Sequence, residues 1–158
     1  MLMSGLEDIV QEMVKGVPDI TAIIFVDKDG IPLVSAGDLD FDSYDLGAIG
    51  AVCLETCQIL GGDLGQMWIE NVIIEFDDLK VVQYPTAIGA MLILANKCAD
   101  IDAIRKEAKD NMASISLAQD IEWSKGKFMA PPMAHKTEGT HGDEGDLPRL
   151  MSLFKEKE

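Results

Sequence analysis

The stretch that most constrains the fold runs from Asp42 to Leu60, DSYDLGAIGAVCLETCQIL. It contains no proline, and its small and apolar residues recur at helical spacing in two adjoining stripes. One stripe is Leu46, Ile49, Gly50, Cys53, Cys57 and Leu60; the other is Gly47, Ala51 and Leu54. Asp42 or Ser43 is placed to cap the first turn, Asp45 suits the positive end of the helix dipole, and Gly61-Gly62 reads as the stop. Each interior glycine costs a helix about 1 kcal/mol relative to alanine. A helix that carries this cost uses the missing side chains to let another backbone come close. Two arrangements satisfy the pattern. Either the whole helix packs tightly on its own sheet, or one stripe faces the sheet while Gly47, Ala51 and Leu54 meet a second copy of the same helix.

A chain of 158 residues fits one domain with a sizeable core, and 47% hydrophobic with 26% charged residues is the composition of a globular protein. No run reaches about 18 apolar residues, so no membrane insertion is expected. The start, MLMSGLEDIV, lacks a basic region followed by an apolar one and does not read as a signal peptide, which points to a cytoplasmic protein. The formal net charge is −15, and residues 1–119 carry 20 acids against 7 bases. Such a surface repels phosphate backbones and anionic lipid, so neither nucleic acid nor membrane is an expected partner. A basic protein partner and a simple gain in solubility both remain compatible with it. The three cysteines, Cys53, Cys57 and Cys98, are too few and odd in number for a disulfide framework. Cys53 and Cys57 lie one helical turn apart, a spacing that could bring two thiolates to a metal. No CxxC or paired histidine completes a zinc set, so they read as small core residues and no metal is expected.

Taken in order, Ser4 to Glu7 reads as a capping box opening a helix whose apolar face is Leu6, Ile9, Val10, Met13, Val14 and Val17. Residues 20–26, ITAIIFV, form a strand covered on both faces, and the turn Asp27-Lys28-Asp29-Gly30 returns the chain as a second strand, Ile31 to Ala36. After the central helix and the flexible GGDLG, residues 67–76 read as a strand with Trp68, Glu70, Val72, Ile74 and Phe76 on one face. Strands at 79–84 and 87–95 complete a meander, since the connections are too short for crossovers. A last helix is expected over about 100–118, with Ile101, Ile104, Ala108, Met112 and Ile115 as its core stripe. The order is αββαβββα over a domain of residues 1–120. Residues 121–145, broken by glycines and Pro131-Pro132, read as a flexible linker, and 146–158 as a short amphipathic tail helix. In that tail Asp146 caps, Pro148 opens the first turn, and Leu147, Leu150, Met151, Leu153 and Phe154 crowd one short segment suited to docking in a groove.

The chain carries little that reads as chemistry. A calcium loop counted from Asp38 puts Ser43 at the sixth position and Ile49 at the twelfth; counted from Asp27 it puts Pro32 and Asp38 there, and both fail. GGDLG lacks the Lys-Ser/Thr of a phosphate loop, no GxSxG occurs, and His135 and His141 fall in the linker. No catalytic residue, cofactor or metal ligand is expected, and the chain does not read as an enzyme.

The order of elements, with particular residues, resembles the roadblock / dynein light chain family over about residues 4–118. The likeness is carried by Gly16-Val17-Pro18, then Val26-Asp27-Lys28-Asp29-Gly30, then Pro32-Leu33-Val34-Ser35. The small-residue helix at 42–60, the strand IENVIIEF and the helix IDAIRKEAK add to it. The resemblance implies an α/β (α+β) fold with a five-stranded antiparallel sheet of order 2-1-5-4-3, sandwiched by helices. It implies a homodimer formed by the third strands edge to edge and the central helices side by side, here through Gly47, Ala51, Leu54, Trp68, Glu70, Val72 and Ile74. It also implies a prokaryotic, non-catalytic platform for a small Ras-like GTPase, acting as an activating or exchange partner, or else a scaffold or motor-complex adaptor with no effect on nucleotide turnover. Asp45, Glu55 and Gln58 on the central helix, and Leu150, Leu153 and Phe154 in the tail, are the expected partner-binding positions. Residues 38–79 contain no Lys or Arg, which fits a platform that supplies no arginine finger.

Overall fold

The computed structural model describes residues 5–124, with side chains described through residue 118. The elements are α1 (Leu6–Gly16), β1 (Ile20–Asp27), β2 (Pro32–Gly37), α2 (Ser43–Asp63), β3 (Val72–Glu75), β4 (Leu79–Pro85), β5 (Gly89–Asn96) and α3 (Ile101–Ser124). The five strands form one sheet in the order β2-β1-β5-β4-β3, and every pairing is antiparallel. This is the expected αββαβββα arrangement. Hairpin connections join β1 to β2 and carry β3 through β4 to β5. The chain crosses from β2 at one edge to β3 at the other only through α2. Twenty-one residues of helix extend about 31 Å, more than the roughly 19 Å that four strand spacings cover, so one helix makes the crossing.

The sheet is buried on both faces. On one, Ile23, Phe25, Val82, Tyr84, Met91 and Ile93 pack against Leu6, Val10 and Met13 of α1 and Ile104, Ala108 and Ile115 of α3. On the other, Ala22, Ile24, Val26, Ala90, Leu92 and Leu94 pack against Leu54 and Leu46 of α2. Consecutive residues of β1 therefore alternate between two cores, which is why its sequence is an unbroken apolar run.

Several boundaries differ from the sequence expectation. Helix α1 starts after Gly5 with no side-chain cap, and Ser4 lies outside the described residues. Helix α2 passes through Gly61-Gly62 to Asp63, with the Leu64 N–H donating to the Leu60 and Gly61 carbonyls and the Gly65 N–H to the Gly62 carbonyl. Strand β3 is far shorter than 67–76: only Val72–Glu75 pair with β4. Helix α3 runs past Ala118 to Ser124, because nothing there breaks a helix before Gly126. The expected linker at 121–145 thus begins inside α3. The rest of that linker, and the tail helix with Leu150, Leu153 and Phe154, lie outside the described residues. No helix among the described residues is long and apolar enough to cross a membrane.

Candidate protein-interaction site

The position of α2 is set by a backbone-to-backbone contact with the β1–β2 turn. Asp27 builds that turn: its Oδ1 accepts from the Asp29 and Ile31 backbone N–H groups, each at 2.9 Å, and its carbonyl accepts from Gly30 N–H at 3.0 Å. Gly30 sits at φ 83°, where a side chain is strained, and a Cβ there would fall 2.7 Å from the Gly47 carbonyl oxygen. A Cβ on Gly47 would overlap the Gly30 carbonyl oxygen in return and lie 3.0 Å from Val26 Cγ1. One turn further on, a Cβ on Gly50 would come within 2.6 Å of Leu92 Cδ2. Gly47, Gly50 and Leu54 are the buried residues of α2. The DKDG turn and Gly47 of the central helix are therefore two halves of one contact.

The structure mixes the two expected stripes: Leu46 and Gly50 of the first pack on the sheet as expected, but members of the second join them there. Gly47 and Leu54, expected against a second copy, lie on the face that packs on the chain's own sheet, with Ala51 half-buried beside them. Ile49 and Leu60, expected on the sheet, are 67% and 57% exposed, and Cys53 and Cys57 are half-buried on the flank between. Gly47 and Gly50 decide the matter: only at those two positions does α2 offer bare backbone to the sheet.

The outward side of α2 is apolar. Tyr44, Val52 and Ile59 are exposed along with Ile49 and Leu60, and the surface continues through Leu64, Met67 and Trp68, the last 87% exposed. Sequence reasoning missed Val52 and Ile59; the available signal was that α2 is apolar all round, more than one sheet can cover. Asp45, Glu55 and Gln58 are all exposed on the same helix. Strand β3 pairs with β4 alone, so among the described residues its outer edge meets no further strand. Val72 and Ile74 are half-buried, Val72 packing into the α2-side core with Ile69. Glu70 does not share their face. It pairs with Lys109 of α3 at 2.9 Å, and that hydrogen bond and charge hold its carboxyl below the usual range.

No Lys or Arg lies between residues 38 and 79, so the charge that this stretch itself carries is acidic, and Lys109 and Lys80 from outside it pair with Glu70 and Glu75. Arg105 belongs to α3, across the sheet, and pairs with Asp102 at 2.8 Å. Two buried polar atoms in β4, Gln83 Oε1 and the Tyr84 hydroxyl, have no hydrogen-bond partner among the described residues. Burial pushes the Tyr84 pKa up. Among the described residues no group of three His, Cys, Asp or Glu side chains could hold a metal ion. An open cleft of about 610 Å³ at one end of the sheet, lined by Val14, Thr21, Asp38, Asp40 and Phe41 among others, offers carboxylates but no base. What the site presents is shape, apolar area and negative charge.

No protein-family model matches the sequence, and no curated protein matches it. Solved structures do match. MglB from Myxococcus xanthus superposes with a TM-score of 0.65 at 18% identity, over 75% of this chain and 95% of that one. The gliding protein MglB from Thermus thermophilus gives 0.65 at 11% identity, over 73% and 89%. A Roadblock/LC7 domain from Streptomyces avermitilis gives 0.60 at 19% identity, over 77% and 99%. At these identities the likeness is one of fold, and it agrees with the strand order and the helix placement described above. This chain has the fold of the roadblock domain, the family its sequence resembles.

Proposed function

We propose that this chain is a cytoplasmic, non-catalytic platform that self-associates and binds and regulates a small Ras-like GTPase. The observation that carries the reading is the continuous exposed apolar surface of α2 and the segment after it, beside the open edge of β3, on a roadblock fold. A patch of that kind on a soluble chain marks an interface, and an unpaired strand edge invites a strand from another chain. In the self-associated form two copies join along β3 and along the Ile49 and Leu60 flank of α2. Two-fold pairing buries the same patch on each copy and closes the β3 edge of both. The crest of α2, with Val52, Asp45, Glu55 and Gln58, then faces the GTPase.

Regulation in this reading works by ordering the GTPase's own catalytic groups. Among the described residues no arginine lies on the α2 side to act as a finger, and a partner shifts a conformational equilibrium by its differential affinity for the two states. The test is a pull-down with small GTPases from the same genome, followed by hydrolysis and nucleotide-exchange assays with and without the protein. Binding together with a change in either rate supports the proposal. A full set of such GTPases showing neither binding nor any change of rate refutes it.

A further inference from the structure

The surface reading leaves one feature of α2 unused, the pair Cys53 and Cys57. Both thiols are half-buried, and they follow Gly50 by three and seven residues. They therefore share the flank on which Gly50 abuts Leu92 of β5 and Gln83 of β4. Residues four apart on a helix hold their Cβ atoms about 5–6 Å from each other. The third cysteine, Cys98, is exposed in the β5–α3 connection and has no companion in sequence.

We propose that Cys53 and Cys57 form a dithiol site for a soft, two-coordinate metal ion of the copper(I) class. Two sulfurs on adjacent turns of one helix are within the span that a single ion bridges at metal–sulfur distances of about 2.3 Å. Soft thiolate ligands select such ions over hard ones. Among the described residues no third His, Cys, Asp or Glu completes a group with the pair, which disfavours ions that need three or four protein ligands. Desolvation, then Cys57 itself, raises the Cys53 pKa. Binding is a ligand exchange without redox change: two thiols and one copper(I) give a bis-thiolate complex and two released protons. Half-burial shields the ion from competing water and free thiols.

The test uses the full chain carrying Cys98→Ser, under anaerobic conditions, competing for copper(I) with a chromophoric bicinchoninate complex. One copper per chain is expected, with a thiolate-to-copper charge-transfer band in the ultraviolet. Adding Cys53→Ser or Cys57→Ser should weaken binding by at least ~100-fold while helicity stays unchanged. Cys57→Ala serves where the serine variant fails to fold. Retention of copper by the single-thiol variants as tightly as by their parent overturns the site, as does a stoichiometry that follows Cys98 in the otherwise native chain.

Discussion

Replacing Gly47 by alanine tests the contact that places α2. The added Cβ overlaps the Gly30 carbonyl oxygen and approaches Val26 Cγ1 to 3.0 Å. Neither side yields easily: Gly30 already sits at φ 83°, and Asp27 Oδ1 fixes the turn through two 2.9 Å bonds. Overpacking of this kind costs about 1–3 kcal/mol, and backbone against backbone belongs at the upper end. The gain in helix propensity returns about 1 kcal/mol. The net is a destabilisation of about 2 kcal/mol, or roughly 4–8 °C in Tm for a chain of this size. Gly62→Ala is the matched control. It lies in the same helix with nothing within 4 Å of its Cβ position, so the same substitution should stabilise by about 0.5 kcal/mol. Urea denaturation followed by circular dichroism compares the two at one protein concentration, because self-association adds apparent stability. If Gly47→Ala is as stable as the parent, α2 does not lie against the turn, and the assignment of its faces falls with it.

Ile49→Glu and Leu60→Glu should leave helicity intact and shift a self-associated form toward monomer by at least ~30-fold in Kd, the scale of an interface hot spot; light scattering across a dilution series reads this, and unchanged mass would move the interface elsewhere. Arg105→Ala and Arg149→Ala together should leave any stimulation of GTP hydrolysis within about threefold, against the ~10³-fold or greater loss expected for an arginine finger. Tyr84, whose pKa burial raises above 10.0, binds its proton more tightly in the folded state. Its contribution is complete below the unfolded pKa and is lost as pH rises through the folded one. Stability should therefore decline on the alkaline side near and above pH 10, and Tyr84→Phe should flatten that limb; an unchanged slope in the variant would assign the decline to other groups.

The sequence by itself determined which elements form. Apolar spacing marked α1, α2 and α3, and the unbroken run ITAIIFV marked a strand with a core on each face. Asp27 and Gly30 marked a tight turn. Those are local decisions, made by backbone propensity and by the period of the pattern. Strand order did not follow from spacing; it came with the family resemblance, and the structure agrees with it. Which side of α2 turns inward was not legible, because the helix is apolar on nearly every side and both stripes fit a sheet equally well. Tertiary structure decided it through Gly47 and Gly50, whose bare backbones fit the Gly30 turn and Leu92 where the larger Ile49 and Leu60 do not. The length of β3 was settled in the same way. Residues 67–76 are strand-like throughout, yet only Val72–Glu75 pair, since Ile69 turns into the α2-side core and Glu70 reaches across to Lys109 of α3. Pattern records which residues avoid water, and only packing settles which neighbour they meet.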